Sequence, residues 1–412
     1  MTNKHMSVLI SGASVAGPAL AYWLARSGAM VTVVEKAPVL RTGGQAIDFK
    51  GETHLELLRR MGILEEVERR QTGSTDQTVI DSYGKRITVM PGWFTGGDLE
   101  ILRGDLAEIL YERTRDTCQY VFGDSITSLT ETASGVHVTF ERGAPRTFDM
   151  VVGADGIHSN VRRLAFGPES NYFRNTGHYY ALVDMERVVD EPVMYNEPGR
   201  LVSIGGPKSP AFFCFASPEL TYDRYSVAEQ KQILIDAYRG MGWRTPEILA
   251  KLARAKDIYV DTIAQVAIER FSKGRIVLLG DAAAANTLGG VGTGLALVAA
   301  YVLAGELSRA DYGTAFERYE ETMRPFIKSA GGNMAGPFLA PRTRKGIWLR
   351  NQLFKRRFLL SSMAKMGEKM AGGQFELPGY TSLNWPSSPA KSAAVATPEH
   401  GDASSATTSA TP

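Results

Sequence analysis

Three carboxylates, each beside a glycine-rich turn, are the residues of this chain whose types and spacing could do chemistry. In the first group, Gly12, Ser14 and Gly17 follow a short apolar run, and Glu35 follows the next one. Such a turn brings backbone N–H groups and a helix start against a pyrophosphate, and the acid accepts hydrogen bonds from an adenosine ribose. Ser14 replaces the middle glycine, so the pattern is degenerate. The group favours a dinucleotide site over an ordinary βαβ unit with glycines at its turns.

The second and third groups repeat this arrangement later in the chain. Asp155 lies in the turn Gly-Ala-Asp-Gly at 153–156, and Asp281 lies in Gly-Asp-Ala-Ala at 280–283, ahead of the glycine-rich loop 289–294. Asp155 could cap the next helix by accepting from its free backbone N–H groups. Asp281 ends a strand ahead of a helix start, so it could accept from hydroxyl donors while neighbouring N–H groups face an anion.

These turns need buried strands before them and helices after them, and the apolar pattern supplies both. The runs before Gly12, Gly153 and Gly280 predict parallel strands, and a helix is predicted over 16–27, ending at Gly28. The segment 36–51 is rich in turn residues and is expected to be an exposed loop without regular elements. The other predicted elements are helices over 53–70, 227–240, 319–332 and 345–370, hairpins over 78–89 and 121–140, and an antiparallel sheet over 171–266.

Length, charge and cysteine content exclude several classes of protein. With 412 residues and 44% hydrophobic residues, the chain is expected to form two lobes around a ligand. A net charge of +2 argues against a dedicated nucleic-acid binder. Two cysteines and six scattered histidines argue against a disulfide framework and a metal site. Since the N-terminus leaves no room for a signal peptide and no run reaches roughly 20 apolar residues, we expect a cytoplasmic protein without stable membrane insertion.

The three groups, in this order and spacing, resemble the flavin-dependent aromatic hydroxylases, which are group A flavoprotein monooxygenases with a para-hydroxybenzoate hydroxylase-like fold. Within that family the chain resembles the tetracycline-inactivating branch, and the resemblance covers residues 8–332. It implies FAD as cofactor and NADPH or NADH as co-substrate. Two positions depart from the family pattern, because Ala284 stands where a histidine is common and the usual proline near Thr287 is absent.

The resemblance also implies particular cofactor contacts. Asp48 and Arg103 are expected to contact FAD, while Arg41 is either a nicotinamide contact or a solvated surface charge. The full set implied for cofactor binding is Gly12, Ser14, Gly17, Glu35, Arg41, Asp48, Arg103, Asp155, Gly280, Asp281, Gly290 and Gly292.

The aromatic strands of the middle of the chain are expected to supply the substrate wall. The side chains assigned to it are Tyr180, Met194, Phe213 and Phe215. Strand alternation would send about half of such side chains to the other face. His178 is a candidate base for a phenol, with a hydrogen-bonded histidine at a strand edge as the alternative.

The expected fold is α/β, with a Rossmann-like FAD-binding domain, an inserted, mostly antiparallel substrate-binding sheet and a C-terminal helix. The basic stretch 342–369 is either a solvated helix packed across both domains or an interfacial membrane helix. The predicted segments are FAD-binding parts at 1–75, 99–170 and 269–340, substrate-domain strands at 76–98, a substrate-binding β-sheet domain at 171–268, a C-terminal helix region at 341–384 and a disordered tail at 385–412.

The activity implied by the resemblance is a monooxygenase reaction. One oxygen atom of O2 would pass to an aromatic, phenolic or polycyclic small molecule through a flavin C4a-hydroperoxide, by hydroxylation or Baeyer–Villiger insertion. The alternatives are a flavin-dependent oxidoreductase without oxygenation, a halogenase and a non-catalytic FAD-binding protein. The chain lacks the W-x-W-x-I-P segment of halogenases. We expect a monomer or a homodimer.

Overall fold

The structure, a computed structural model, describes residues 6–41, 44–205, 211–289, 292–329, 334–356, 358–362, 375–381 and 383. The expected cofactor contact Gly290, the tail 385–412 and residues 363–370 of the predicted C-terminal helix lie outside the described residues.

The described strands and helices alternate in the first part of the chain, and strands dominate the middle. The strands are β1 Ser7–Ser11, β2 Met30–Glu35, β3 Ala46–Phe49, β4 Gln77–Ile80, β5 Arg86–Met90, β6 Leu99–Leu102, β7 Gln119–Phe122, β8 Ile126–Thr132, β9 Gly135–Phe140, β10 Arg146–Phe148, β11 Met150–Gly153, β12 Phe173–Asp184, β13 Val193–Glu197, β14 Arg200–Ile204, β15 Ala211–Ala216, β16 Asp257–Ala267, β17 Ser272–Lys273, β18 Ile276–Leu278 and β19 Ala284–Asn286. The α-helices are α1 Ala16–Arg26, α2 Glu52–Met61, α3 Leu64–Arg69, α4 Gly92–Thr95, α5 Arg103–Glu112, α6 Asn160–Phe166, α7 Val227–Tyr238, α8 Thr245–Arg254, α9 Gly292–Leu307, α10 Tyr312–Ser329, α11 Ala335–Leu339 and α12 Arg344–Phe354. Among these described helices, none combines the length and the apolar character needed to cross a membrane.

The first sheet brings the three glycine-rich turns to one edge. Its strand order is β17-β18-β11-β1-β2-β7, and all neighbours except β17 and β18 run parallel. Parallel strands finish at the same edge, so the turn after β1, the acid that ends β2 and the turns after β11 and β18 are neighbours. Helix α1 packs against β2 and α9. The predicted parallel strands and the helix over 16–27 are confirmed.

The second large sheet is mostly antiparallel and separates two layers of helices. Its order is β19-β16-β12-β15-β14-β13-β4-β5, in which only the β13–β4 pair is parallel. One face forms an apolar core with α7 and α8, and the other forms a core with α11 and α12. Helix α12 is tied down by Arg350, which is buried and donates to the carbonyl of Leu339 at 2.9 Å and to Asn196 Oδ1 at 2.8 Å.

The regular structure differs from the prediction in three places. The segment 36–51 is not purely loop, because β3 pairs antiparallel with β6 and buries Ile47 and Phe49. Alternating apolar residues favour a strand once a partner strand is present. Helix α8 was not predicted, although Pro at its start and its apolar spacing are typical helix signals. Helix α10 begins at Tyr312 rather than at 319.

Candidate functional site

The turn after β1 is shaped by glycines that no other residue could replace without movement. The backbone N–H of Gly12 donates to the carbonyl of Val34 at 2.8 Å, so the turn is fixed to β2. Gly12 has a φ of +109°, and a Cβ there would lie 2.4 Å from the carbonyl oxygen of Ala154. A Cβ on Gly17 would lie 1.9 Å from the carbonyl oxygen of Gly12. The two predicted glycines therefore let strand, turn and helix α1 pack at the backbone.

Glu35 closes this turn from the neighbouring strand. Its two carboxylate oxygens accept backbone N–H groups, Oε2 from Ala13 at 2.9 Å and Oε1 from Ala37 at 2.8 Å. A carboxylate oxygen has two acceptor positions, so each oxygen keeps one for a ligand hydroxyl. The geometry places the predicted ribose acceptor beside the predicted phosphate turn.

The Asp155 carboxylate accepts several hydrogen bonds from other groups of the protein. Its carboxylate accepts from the hydroxyl of Ser11 at 3.3 Å, from the N–H of Val161 at 3.0 Å and from the hydroxyl of Ser159. The N-cap of α6 is Ser159, which accepts from the N–H of Arg162 at 3.0 Å. Asp155 therefore joins β1 to the first turn of α6, a structural role related to the predicted capping.

Asp281 follows the end of β18 and interacts electrostatically with Arg103. Residue Asp281 is exposed to solvent by area. Protein atoms near its carboxyl still desolvate it and raise its pKa, and the Arg103 guanidinium opposes that shift. A Cβ on Gly292, at the start of α9, would lie 3.6 Å from Asp281 Oδ1. A carboxylate, a guanidinium and a helix start thus share one place, which we call, with Gly12 and Glu35, the strand-end site.

The glycine after β18 lets two helices approach each other at the strand-end site. Gly280 has a φ of +61°, and a Cβ there would lie 3.2 Å from the Ala16 Cβ and 3.3 Å from the Ala296 Cβ. The glycine therefore allows the starts of α1 and α9 to approach each other. Two helix N-termini, unblocked glycine turns and two carboxylates suit a ligand with a pyrophosphate and several hydroxyls.

Asp48 lies in β3, which contacts α9 of the strand-end site. Asp48 Oδ1 accepts from the N–H of Gly97 at 3.0 Å, and Asp48 pairs in register with Glu100. Burial and then the neighbouring Glu100 raise the pKa of Asp48 to about 6. Arg41 is exposed, as the surface-charge alternative expects. Ser14 is half-buried in the first turn.

The expected substrate residues divide between the two faces of the eight-stranded sheet. Tyr180 and Met194 belong to the core beside α11 and α12, on the same face as Phe212. Phe213 and Phe215 lie on the opposite face, where both rings pack edge-on against Tyr238 of α7. Because neighbouring side chains alternate, Phe213 and Phe215 cannot share a wall with Tyr180. We therefore leave them out of the substrate wall.

His178 lies away from the residues of the strand-end site. Its ring is buried against Gly336 of α11, and Nδ1 lies 3.3 Å from the carbonyl of Thr176. Burial is the main cause that lowers the pKa of His178. His178 lies beside a register shift of β12, a strand that is paired on both sides, and its role as a base stays a prediction.

One group of polar residues was not recognised from the sequence. His158 bridges Glu169 and Asp261, and Tyr259 donates to Asp261. An aspartate within the otherwise apolar run of β16 was a usable signal, because buried acids need partners. The partner, His158, lies 103 residues earlier in the chain and had no local signature.

Comparisons with known proteins agree with a flavin site. A sequence profile for the FAD binding domain matches residues 5–330. A flavin-dependent monooxygenase of Legionella longbeachae is 38% identical over 342 residues, which cover 79% of this chain and 87% of that protein. An uncharacterized protein of Mycobacterium tuberculosis is 38% identical over 338 residues, which cover 78% of this chain and 91% of that protein.

One solved structure is similar to this chain over nearly the whole length of both proteins. The tetracycline destructase Tet(55) is 32% identical, with a TM-score of 0.77 over 92% of this chain and 100% of that chain. The profile match contains all three glycine turns, so it includes every element of the strand-end site. The expected α/β fold with an FAD-binding domain is confirmed.

Proposed function

The chain belongs to the flavin-dependent monooxygenases built on the FAD binding domain, and we propose that it uses NADPH or NADH and O2 to insert one oxygen atom into an aromatic, phenolic or polycyclic small molecule. This proposal rests on one observation. The apolar face that carries Tyr180 and Met194 belongs to the sheet whose edge strand β19 starts at Ala284, just after Asp281, and pairs with β16, and both Arg103 and Asp281 affect the pKa of Tyr180.

Bound FAD supplies hydride acceptance and oxygen activation, and the protein supplies binding, orientation and exclusion of water. We assign the ADP half to the turn of Gly12 and Gly17, with Glu35 as the ribose acceptor. Asp281 and Arg103 are assigned to the ribityl and ring end. Their opposite charges suit a ligand part with both hydroxyl donors and carbonyl acceptors.

Other members of the expected set take secondary roles in this proposal. Asp155 positions the turns after β1 and β11 through the protein contacts described above. Ser14 and Gly292 line the two helix starts. Asp48 lies in the separate two-stranded sheet of β3 and β6, and Arg41 is assigned to the nicotinamide co-substrate because its exposed side chain is free to meet a transient ligand.

The test begins with the visible spectrum of the purified protein, followed by NADPH under anaerobic conditions and then by air. We expect a flavin spectrum that bleaches and recovers. A panel of phenols, naphthols and polycyclic enols is then screened for faster NADPH oxidation. With 18O2, a coupled product gains one labelled oxygen atom.

The outcomes separate the alternatives. Faster NADPH oxidation that yields only hydrogen peroxide would contradict oxygen insertion and favour an oxidoreductase without oxygenation. A halogenated product in the presence of chloride or bromide would favour the halogenase. A protein that stays colourless after reconstitution with FAD would favour the non-catalytic alternative.

A further inference from the structure

A histidine clamped between two carboxylates joins the turn after β11 to the substrate-side sheet. His158 Nδ1 lies 2.9 Å from Glu169 Oε1, and His158 Nε2 lies 3.0 Å from Asp261 Oδ1. The ring also stacks on Phe173, with centroids 5.3 Å apart. Asp261 is buried in β16. Both ring nitrogens therefore have an oxygen acceptor, which only the doubly protonated imidazolium can satisfy with two N–H groups.

The charges around the histidine support this protonation state. Burial alone would lower the pKa of His158, but the bonds to Asp261 and Glu169 outweigh it and raise the pKa. The same histidine keeps the pKa of Asp261 below its usual range despite burial. Arg162 lies 3.4 Å from Glu169, and Arg224 also interacts with Glu169 and His158. The cluster therefore holds Asp261 as a carboxylate.

An ionised Asp261 fixes the direction of the hydrogen bonds beyond it. It accepts from the N–H of Thr262 at 2.8 Å and, through Oδ2, from the hydroxyl of Tyr259 at 2.6 Å. Because a carboxylate has no proton to give, the Tyr259 proton must point toward Asp261. The Tyr259 oxygen is then left as an acceptor. The ring of its neighbour Tyr180 lies edge-on to the Tyr259 ring, with the two ring centroids 5.9 Å apart.

The two tyrosines face the strand-end site. Both interact electrostatically with Arg103, and Tyr180 also interacts with Asp281. Tyr259 keeps 38% of its surface exposed, although its hydroxyl is surrounded by protein. Tyr259 and Tyr180 lie on the same sheet face as Met194, the other residue assigned to the substrate wall.

We propose that Glu169, His158 and Asp261 orient the hydroxyl of Tyr259 so that it offers only an acceptor to the substrate. Asp261 is the positioning residue, and Tyr259 determines specificity. Tyr259 selects a substrate that presents an O–H donor, such as a phenol or an enol, and disfavours the matching methyl ether. This inference rests on the proposed function, since it assigns the substrate wall to that face.

The expected difference in affinity between the phenol and its ether arises because the ether leaves the tyrosine acceptor without a donor. Leaving a buried acceptor without a donor costs about 1–3 kcal/mol, so the ether should bind at least fivefold more weakly than the phenol. The probes are 4-fluorophenol and 4-fluoroanisole, which have nearly the same ring and differ in the donor. Their dissociation constants are measured by 19F NMR on the FAD-loaded protein at pH 6.

Two variants remove the orientation in different ways. In Asp261→Asn the amide can donate to Tyr259, so the Tyr259 proton can turn toward the ligand. In Tyr259→Phe the oriented acceptor itself is removed, so the phenol loses its partner. Both variants should bring the ratio of the two dissociation constants within about twofold of unity. The control is Tyr222→Phe, whose hydroxyl donates to the Val260 carbonyl at 3.0 Å from the other face.

Equal binding of the two probes to the unmodified protein would overturn the proposal, and so would failure of 4-fluorophenol to bind. An unchanged ratio in Tyr259→Phe would overturn it as well, even if Asp261→Asn failed to fold. Failure of the proposed function has a different signature. In that case NADPH would not bleach the flavin or no labelled oxygen would be transferred, whereas the ratio of probe affinities would be unaffected.

Discussion

Gly17→Ala is the sharpest test of the backbone packing at the first turn. Gly17 lies in α1 and has no unusual φ, so an alanine there would ordinarily favour the helix by about 1 kcal/mol. Its Cβ, however, would lie 1.9 Å from the carbonyl oxygen of Gly12 and 3.2 Å from Ile10 Cγ2. Ordinary contact begins at 3.4 Å, so the helix and the turn must separate by 3.4 − 1.9 = 1.5 Å.

The size of the effect follows from how firmly α1 is held. Its buried side chains include Leu20 and Trp23, so a 1.5 Å displacement disturbs the packed core. Overpacking of this kind costs about 3 kcal/mol, which leaves a net loss of about 2 kcal/mol in the free energy of unfolding. A displaced turn also cannot keep its N–H groups within hydrogen-bonding distance of a pyrophosphate. We therefore expect FAD affinity to fall more than tenfold.

Urea unfolding of the apoprotein and FAD fluorescence titration measure the two effects separately. The matched control is Gly62→Ala, where φ is +67° and nothing lies within 4 Å of the added Cβ. That variant should lose about 1–2 kcal/mol from its left-handed backbone and keep its FAD affinity. Retention of normal FAD affinity by Gly17→Ala, with a smaller stability loss than in the control, would refute the steric argument.

Three further predictions concern single side chains. Asp281→Ala should lower FAD affinity at least tenfold, whereas Asp311→Ala at the exposed start of α10 should not; fluorescence titration compares them. The Asp48 pKa is raised to about 6, so the folded state holds this proton more tightly than the unfolded chain does. This contribution to the free energy of unfolding is full below pH 4 and is lost as the pH rises through 6. Asp48→Asn should abolish this pH dependence, which amounts to at most about 3 kcal/mol when the free energy of unfolding in urea is compared at pH 4.5 and 7. Burial raises the pKa of Cys214 to about 12 and also raises that of Cys118, so a thiol reagent at pH 8 should react only on unfolding. Fast reaction of the native protein would contradict the buried placement.

Local features were predictable because their causes are local. The glycine turns at Gly12 and Gly280 need backbone conformations or close approaches that few residues allow, so residue type alone marks them. The strand-turn-helix order around them is specified by apolar runs of the right length. The position of Glu35 was predictable for a similar reason, since a strand of fixed length places its last side chain beside the turn.

Features that depend on contacts between residues distant in sequence became visible only in the tertiary structure. The alternating residues of β3 form a strand only because β6 lies beside them. The face on which Phe213 and Phe215 point depends on the register of β15 against β12, and a shift of one residue exchanges the two faces. The pairing of His158 with Asp261 depends on two sheets meeting in space. Sequence by itself determined the glycine turns, because they are set by backbone sterics. The composition of the two faces of the eight-stranded sheet was decided only by packing, because its side chains come together from remote strands.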